Sequence, residues 1–170
     1  MTLFSLIWNP GTIRAEALNE YHIKAEFLYH FSKFVDWPAS TFKVTNGHLR
    51  ICVLGKDPFG PSLDAALANK SVRDHPFEIR RNPPTTELQR CHLLFLPASV
   101  SSQIREIRHQ VAKENVLTVG ETLDFMKQGG MVQLFFDNQK IRFAVNTDVV
   151  DQTNLEVSSK LLRLAKIYTP

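Results

Sequence analysis

The stretch Leu49-Arg-Ile-Cys-Val-Leu-Gly-Lys-Asp-Pro-Phe-Gly-Pro61 decides the fold. Leu49 to Leu54 is an apolar run of strand length, and Gly55 to Gly60 is a turn. Pro61 suits the first position of a helix, whose buried side Leu63, Ala66 and Leu67 supply. Strand, turn and helix in that order form the unit of an α/β protein, and the unit repeats downstream. A second strand is expected around 77–80, before the loop Asn82-Pro83-Pro84 and a helical turn at Thr85 to Gln89. Cys91 to Leu96 is a third, continuous apolar strand. Ser99 or Ser101 is expected to cap a helix carrying Ile104, Ile107 and Val111. Val116 to Val119 is a fourth strand, and Thr122 to Lys127 a short helix stopped by Gly129-Gly130. Met131 to Phe136 and Lys140 to Val145 flank Asp137-Asn138-Gln139 as an antiparallel hairpin. Val149, Leu155, Leu161, Leu162 and Leu164 belong to one or two closing helices. Continuous apolar strands alternating with helices predict an α/β three-layer sandwich with a mixed, mostly parallel central sheet and a late antiparallel hairpin.

Upstream, residues 21–38 (YHIKAEFLYHFSKFVDWP) read as a helix capped by Asn19 and stopped by Trp37-Pro38. Ile23, Phe27, Phe31 and Phe34 form its apolar stripe, widened by Tyr21, Leu28 and Val35. Lys24 falls inside that arc. It must reach a carboxylate across the core, line a polar pocket, or extend along its stem to water.

The chain has 170 residues, 44% of them hydrophobic and 22% charged, which suits one domain with a sizeable core. Net charge is +3, with no block of one sign, and this argues against a nucleic-acid arm. No apolar run approaches the roughly 20 residues of a membrane-spanning helix. Residues 1–17 stand apart: Leu3 to Trp8 is a short apolar run, and Ala15-Glu16-Ala17 fits a secretory cleavage pattern. The segment reads either as a remnant signal peptide or as a disordered tail, ahead of a single domain at 18–170.

Two cysteines, Cys52 and Cys91, lie in apolar strand-like runs separated by one crossover. Neighbouring strands in an exported protein would bring them into a disulfide; a cytosolic protein would keep two buried thiols. Their spacing matches no zinc or thioredoxin pattern. His22, Glu26 and His30 share a helix face, but the histidines sit about 12 Å apart along the axis, too far to grip one ion. His92 reads as a hydrogen-bonded core histidine. Gly55 to Gly60 lacks the endings of phosphate-binding loops and reads as a structural turn first, an anion contact second. Arg142 and Asn146 project from one side of a strand, opposite Ile141, Phe143 and Val145, and are exposed, paired or part of a polar pocket.

These strings, taken in order, resemble the YfiR family. They are the 21–38 helix, ICVLGKDPFG at 51–60, CHLLFL at 91–96, VLTVGE at 116–121, GGM at 129–131, IRFAVN at 141–146 and SSKLLRLA at 158–165. The resemblance implies a periplasmic repressor that holds a membrane diguanylate cyclase inactive through its periplasmic sensor domain, lowering cyclic di-GMP and biofilm formation. It also implies an outer-membrane lipoprotein partner that relieves repression. From the residues themselves, no cofactor, metal or catalytic site is expected. The family's best-known member has a second cysteine pair late in the chain, which is missing here. Lys24, Trp37, Arg142 and Asn146 are the candidate ligand- or partner-binding residues, and homodimerisation is left open. The alternatives are a periplasmic small-molecule-sensing module without a cyclase partner, and an enzyme of flavodoxin-like shape. No catalytic constellation is recognisable for the enzyme.

Overall fold

The computed structural model describes residues 10–170. Helix α1 (Pro10–Phe34) leads through β1 (Val35–Asp36) and α2 (Ser40–Lys43) into the first sheet unit, β2 (Leu49–Val53), α3 (Pro61–Leu67), β3 (Ser71–Val72) and β4 (His75–Arg81). There follow β5 (Leu93–Leu96), α4 (Ile104–Val111), β6 (Leu117–Gly120), the hairpin β7 (Val132–Asp137) and β8 (Lys140–Val145), α5 (Thr147–Val150), β9 (Glu156–Val157), α6 (Ser159–Leu164) and β10 (Lys166–Ile167). The main sheet has eight strands in the order β10-β8-β7-β6-β5-β2-β4-β3. β4, β2, β5, β6 and β7 run parallel, β8 turns antiparallel to β7, and β3 is antiparallel to β4. The expected mixed sandwich is therefore what forms.

Alternation along the strands explains the two faces. Ile51, Val53, Leu93, Phe95, Leu117 and Val119 point to one side, where Ala25, Leu28 and Phe31 of α1 and Leu63 of α3 close over them. Cys52, Leu94 and Leu96 point to the other, against Ile104, Ile107 and Val111 of α4 and Phe125. Phe27 and Phe31 meet Phe143 at ring separations of 5.9 and 5.1 Å, so α1 does pack through its phenylalanines. Because β2 and β5 are neighbours, Cys52 and Cys91 form a disulfide with Cα atoms 5.9 Å apart.

Several local expectations are corrected. Helix α1 starts at Pro10, so Asn19 lies within it and caps nothing. Residues 10–17 belong to this helix, and the expectation for residues 1–9 falls outside the described residues. Ile23 sits at the rim of the buried arc, which centres on Ala25, Leu28 and Phe31. Neither Ser99 nor Ser101 caps α4; a 3-10 turn (Ala98–Gln103) precedes it, and the Ser99 hydroxyl accepts the Lys56 N–H instead. Residues 122–127 form turns, not a helix, because the Phe125 ring is drawn between two glycines. Among the described residues, no helix is long and apolar enough to cross a membrane.

Candidate functional site

The carboxyl end of β6 delivers Glu121, and α1 delivers Glu20, Tyr21 and Lys24 to the same place. The Lys24 ammonium donates to Glu121 Oε2 at 2.6 Å and also pairs with Glu20, one helical turn earlier. Lys24 is only 4% exposed, yet two carboxylates compensate its charge, which answers the question its place in the apolar arc raised. Tyr21 Oη donates to Glu121 at 3.1 Å, and the Ala98 N–H reaches Glu121 Oε1 at 3.3 Å. The ammonium also lies 4.7 Å from the centre of the Tyr21 ring, a cation–π arrangement. Burial, reinforced by the Glu121 charge, pushes the Tyr21 phenol above its ordinary range, so it stays a protonated donor.

This cluster forms one wall of a cleft of about 1040 Å³. The loop Glu121–Asp124, the β7 residues Gln133 to Phe136, and Lys166 to Thr169 complete the lining. Gln133 Nε2 donates to Thr122 O at 2.6 Å and ties the loop to β7. Large apolar side chains stand exposed around the mouth: Leu123 at 94%, Phe136 at 56% and Ile167 at 44%. A charged floor beneath an apolar rim is suited to contact recognition, where a few large anchors carry most of the binding energy. The cluster's members satisfy one another. Lys24 is held by two carboxylates and Tyr21 donates to one of them, which is not the arrangement of a nucleophile beside a free base.

The remaining candidates lie elsewhere. Trp37 is buried, its indole N–H donating to His92 O at 3.0 Å, and it borders a separate hollow of about 410 Å³ beside Phe42, Arg73 and His75. Arg142 is exposed on β8 beside a shallow depression shared with Phe136 and Leu164. Asn146 is buried, and its Oδ1 accepts the Val149 N–H to cap α5. The structure thus brings none of these three to Lys24. Sequence reading missed Glu121, whose only signal is its position directly after a strand, where α/β sheets commonly place functional side chains. The usual ligand crevice at the strand-order reversal, between β2 and β5, is filled. Lys56 N–H bonds Ser99 across it, and the Gly55–Gly60 turn is pinned by Arg81, which donates to Asp57 at 2.7 Å and to Gly60 O at 3.1 Å.

A family model described as YfiR/HmsC-like matches residues 21–166. No curated protein matches the chain. Among solved structures, a conserved domain protein from Vibrio cholerae O1 biovar El Tor strain N16961 is similar, with a TM-score of 0.60 at 11% identity, over 85% of this chain and 60% of that one. The ABC domain from Streptococcus pneumonia, solved in complex with L-Trp, gives a TM-score of 0.52 at 9% identity, over 76% of this chain and 58% of that one. At such identities the likeness is one of fold, and the chain spans about 60% of the length of these structures.

Proposed function

This chain belongs to the YfiR/HmsC-like family, and on that premise we propose that it is a periplasmic regulatory protein that represses a membrane diguanylate cyclase by binding the cyclase's periplasmic sensor domain. The observation that carries the reading is the family match across 21–166, which runs from Tyr21 within α1 to the first residue of β10. The Cys52–Cys91 disulfide supports an oxidising compartment. Repression by contact asks for a recognition surface and no chemistry. The cleft, with its apolar rim of Leu123, Phe136 and Ile167 and its Lys24–Glu121 floor, supplies one. Interfaces of this kind bury roughly 1,200–2,000 Å², an area the rim and Arg142 together could anchor. An outer-membrane lipoprotein that sequesters the repressor would relieve the inhibition.

Deleting the gene is expected to raise cyclic di-GMP and biofilm only in a strain that keeps the cyclase. Purified protein is expected to pull down the cyclase sensor domain, and Phe136→Asp to weaken that capture. Unchanged cyclic di-GMP together with no capture would overturn the reading. The cleft's volume also suits a small ligand. Ligand-induced thermal stabilisation without cyclase capture would establish the alternative, a small-molecule-sensing module.

A further inference from the structure

At the β10 edge of the sheet, the last strand covers only the end of β8. Lys166 and Ile167 stand beside Ala144 and Val145, so from Lys140 to Phe143 the outer side of β8 has no strand neighbour among the described residues. Strand alternation fixes which side chains share a face. Lys140, Arg142 and Ala144 project to one side, and Lys166, the cross-strand partner of Ala144, projects with them. Arg163 and Leu164 end α6 and lead the chain into β10. Arg142, Leu164 and Lys166 line one shallow depression there.

The charges of this edge are left unmatched. Lys140, Arg142, Arg163 and Lys166 are all exposed, and among the described residues none of them forms an ion pair. Around the other end of the sheet the cations are matched: Arg50, Arg73, Arg80 and Arg81 each hold a carboxylate. Asp137, across the hairpin from Lys140, is the one acidic side chain lining the depression, so the strip is net positive. Among the four cations Leu164 stands 76% exposed and Ile167 44%.

We propose that this edge docks on an anionic bilayer surface. Leu164 and Ile167 enter the headgroup layer, and the four cations meet lipid phosphates. Two features select a lipid surface over a protein segment. The strip follows a sheet edge beside a shallow depression, outside the concave cleft. Its apolar residues are single and flanked by long cationic side chains, whose stems can lie along apolar lipid while their heads stay at the phosphates. The inference goes beyond the proposed function. Ile167 belongs to both surfaces, but Leu123 follows β6, three strands from β10, and stays available to a protein partner.

Co-sedimentation of the oxidised full chain with large vesicles tests the proposal, and no cyclase is required. Binding is expected to phosphatidylcholine vesicles that contain phosphatidylglycerol, and not to phosphatidylcholine alone. It should weaken as salt rises. Arg142→Ala and Lys166→Ala are each expected to lower the partition coefficient about fivefold, the worth of one cation at an anionic surface. Leu164→Ser should lower it about tenfold. Arg142→Lys should keep most of the binding, because a bilayer asks for charge without a fixed hydrogen-bonding fork. Should a variant unfold, the lipid and salt dependence of wild type still decides. No binding to the anionic vesicles, equal binding to both compositions, or binding unchanged in both alanine variants would each overturn the proposal. Loss of cyclase capture in Arg142→Ala with vesicle binding intact would overturn it too, and would assign the strip to a protein partner.

Discussion

Lys24 on the first helix and Glu121 after the β6 strand, 97 positions apart in sequence, meet at 2.6 Å in a nearly dry site. The pair fastens the amino-terminal helix to the carboxyl ends of the strands, where the cleft opens. Removing only the cation strands the Glu121 carboxylate, whose side chain is 8% exposed. Lys24→Met is therefore expected to cost ~3 kcal/mol by urea denaturation, the scale for breaking one half of a buried pair. Adding Glu121→Leu should recover part of that loss, because the orphaned charge then goes too. A fully stable Lys24→Met would mean that Glu121 finds water on its own.

The loop that carries Glu121 is set by packing. The fully buried Phe125 ring lies against both Gly120 and Gly130: a β-carbon on Gly120 would sit 2.3 Å from the ring, and one on Gly130 2.0 Å. Backbone walls on both sides leave the ring nowhere to move. Gly120→Ala and Gly130→Ala are each expected to expel Phe125, costing ~3 kcal/mol or more, as overpacking does at its upper end. Both should also loosen the cleft wall. Thermal unfolding reads the first effect, and amide exchange at Glu121 to Asp124 the second. Neutral substitution at either glycine would show that the loop does not depend on this sandwich.

The Cys52–Cys91 bond closes a 39-residue loop that contains α3, β3 and β4. Chain-entropy reasoning puts its contribution at about 4 kcal/mol, as an upper bound. Cys52→Ser/Cys91→Ser is expected to lower stability by about 2–4 kcal/mol on that scale, and reduction of wild type should give the same loss. Protein taken directly from the periplasm should react with a thiol reagent only after unfolding and reduction. Free thiols in that material would tell against both the bond and the compartment.

The strands that were legible from sequence show one of two patterns: an apolar run bounded by turn formers, as at 49–54 and 91–96, or apolar residues alternating with charged ones, as at 77–80. The two-residue strands β1, β9 and β10 carry no such signal, because their pairing is imposed by the packing of α1 and α6. The first two turns of α1 were also illegible. Residues 14–19 are exposed, so no apolar stripe marks them as helix. Lys24 stood out because a charge on an apolar arc demands compensation. Its partner Glu121 did not, since no local pattern links residues so far apart. The loop at 122–127 misled for the opposite reason. Its spacing suits a helix, but the close approach of Phe125 to two glycines is a tertiary effect that periodicity does not register.

His92 offers a test that pH alone can drive. The ring is 1% exposed, stacked on Phe42 at 4.4 Å, and its Nδ1 accepts the Arg50 N–H at 3.0 Å. The proton of the neutral ring therefore sits on Nε2, and a second proton would have to enter between Nδ1 and a donor that already points at it. Burial first, then the nearby charges of Arg50 and His75, lower its pKa to about 4. The sign follows from linkage: the unfolded chain takes up this proton near pH 6.5, while the folded chain resists until about 4. The full stability is present above pH 6.5, falls as pH drops from there toward 4, and then levels off, for a total of ~3 kcal/mol from this group. Denaturation curves across that range should show the decline. His92→Gln, whose amide oxygen can still accept from Arg50, should flatten the decline. Imidazole resonances of the folded protein should titrate near 4; a native midpoint near 6.5 would mean that the ring is hydrated and the buried Arg50 contact is not retained.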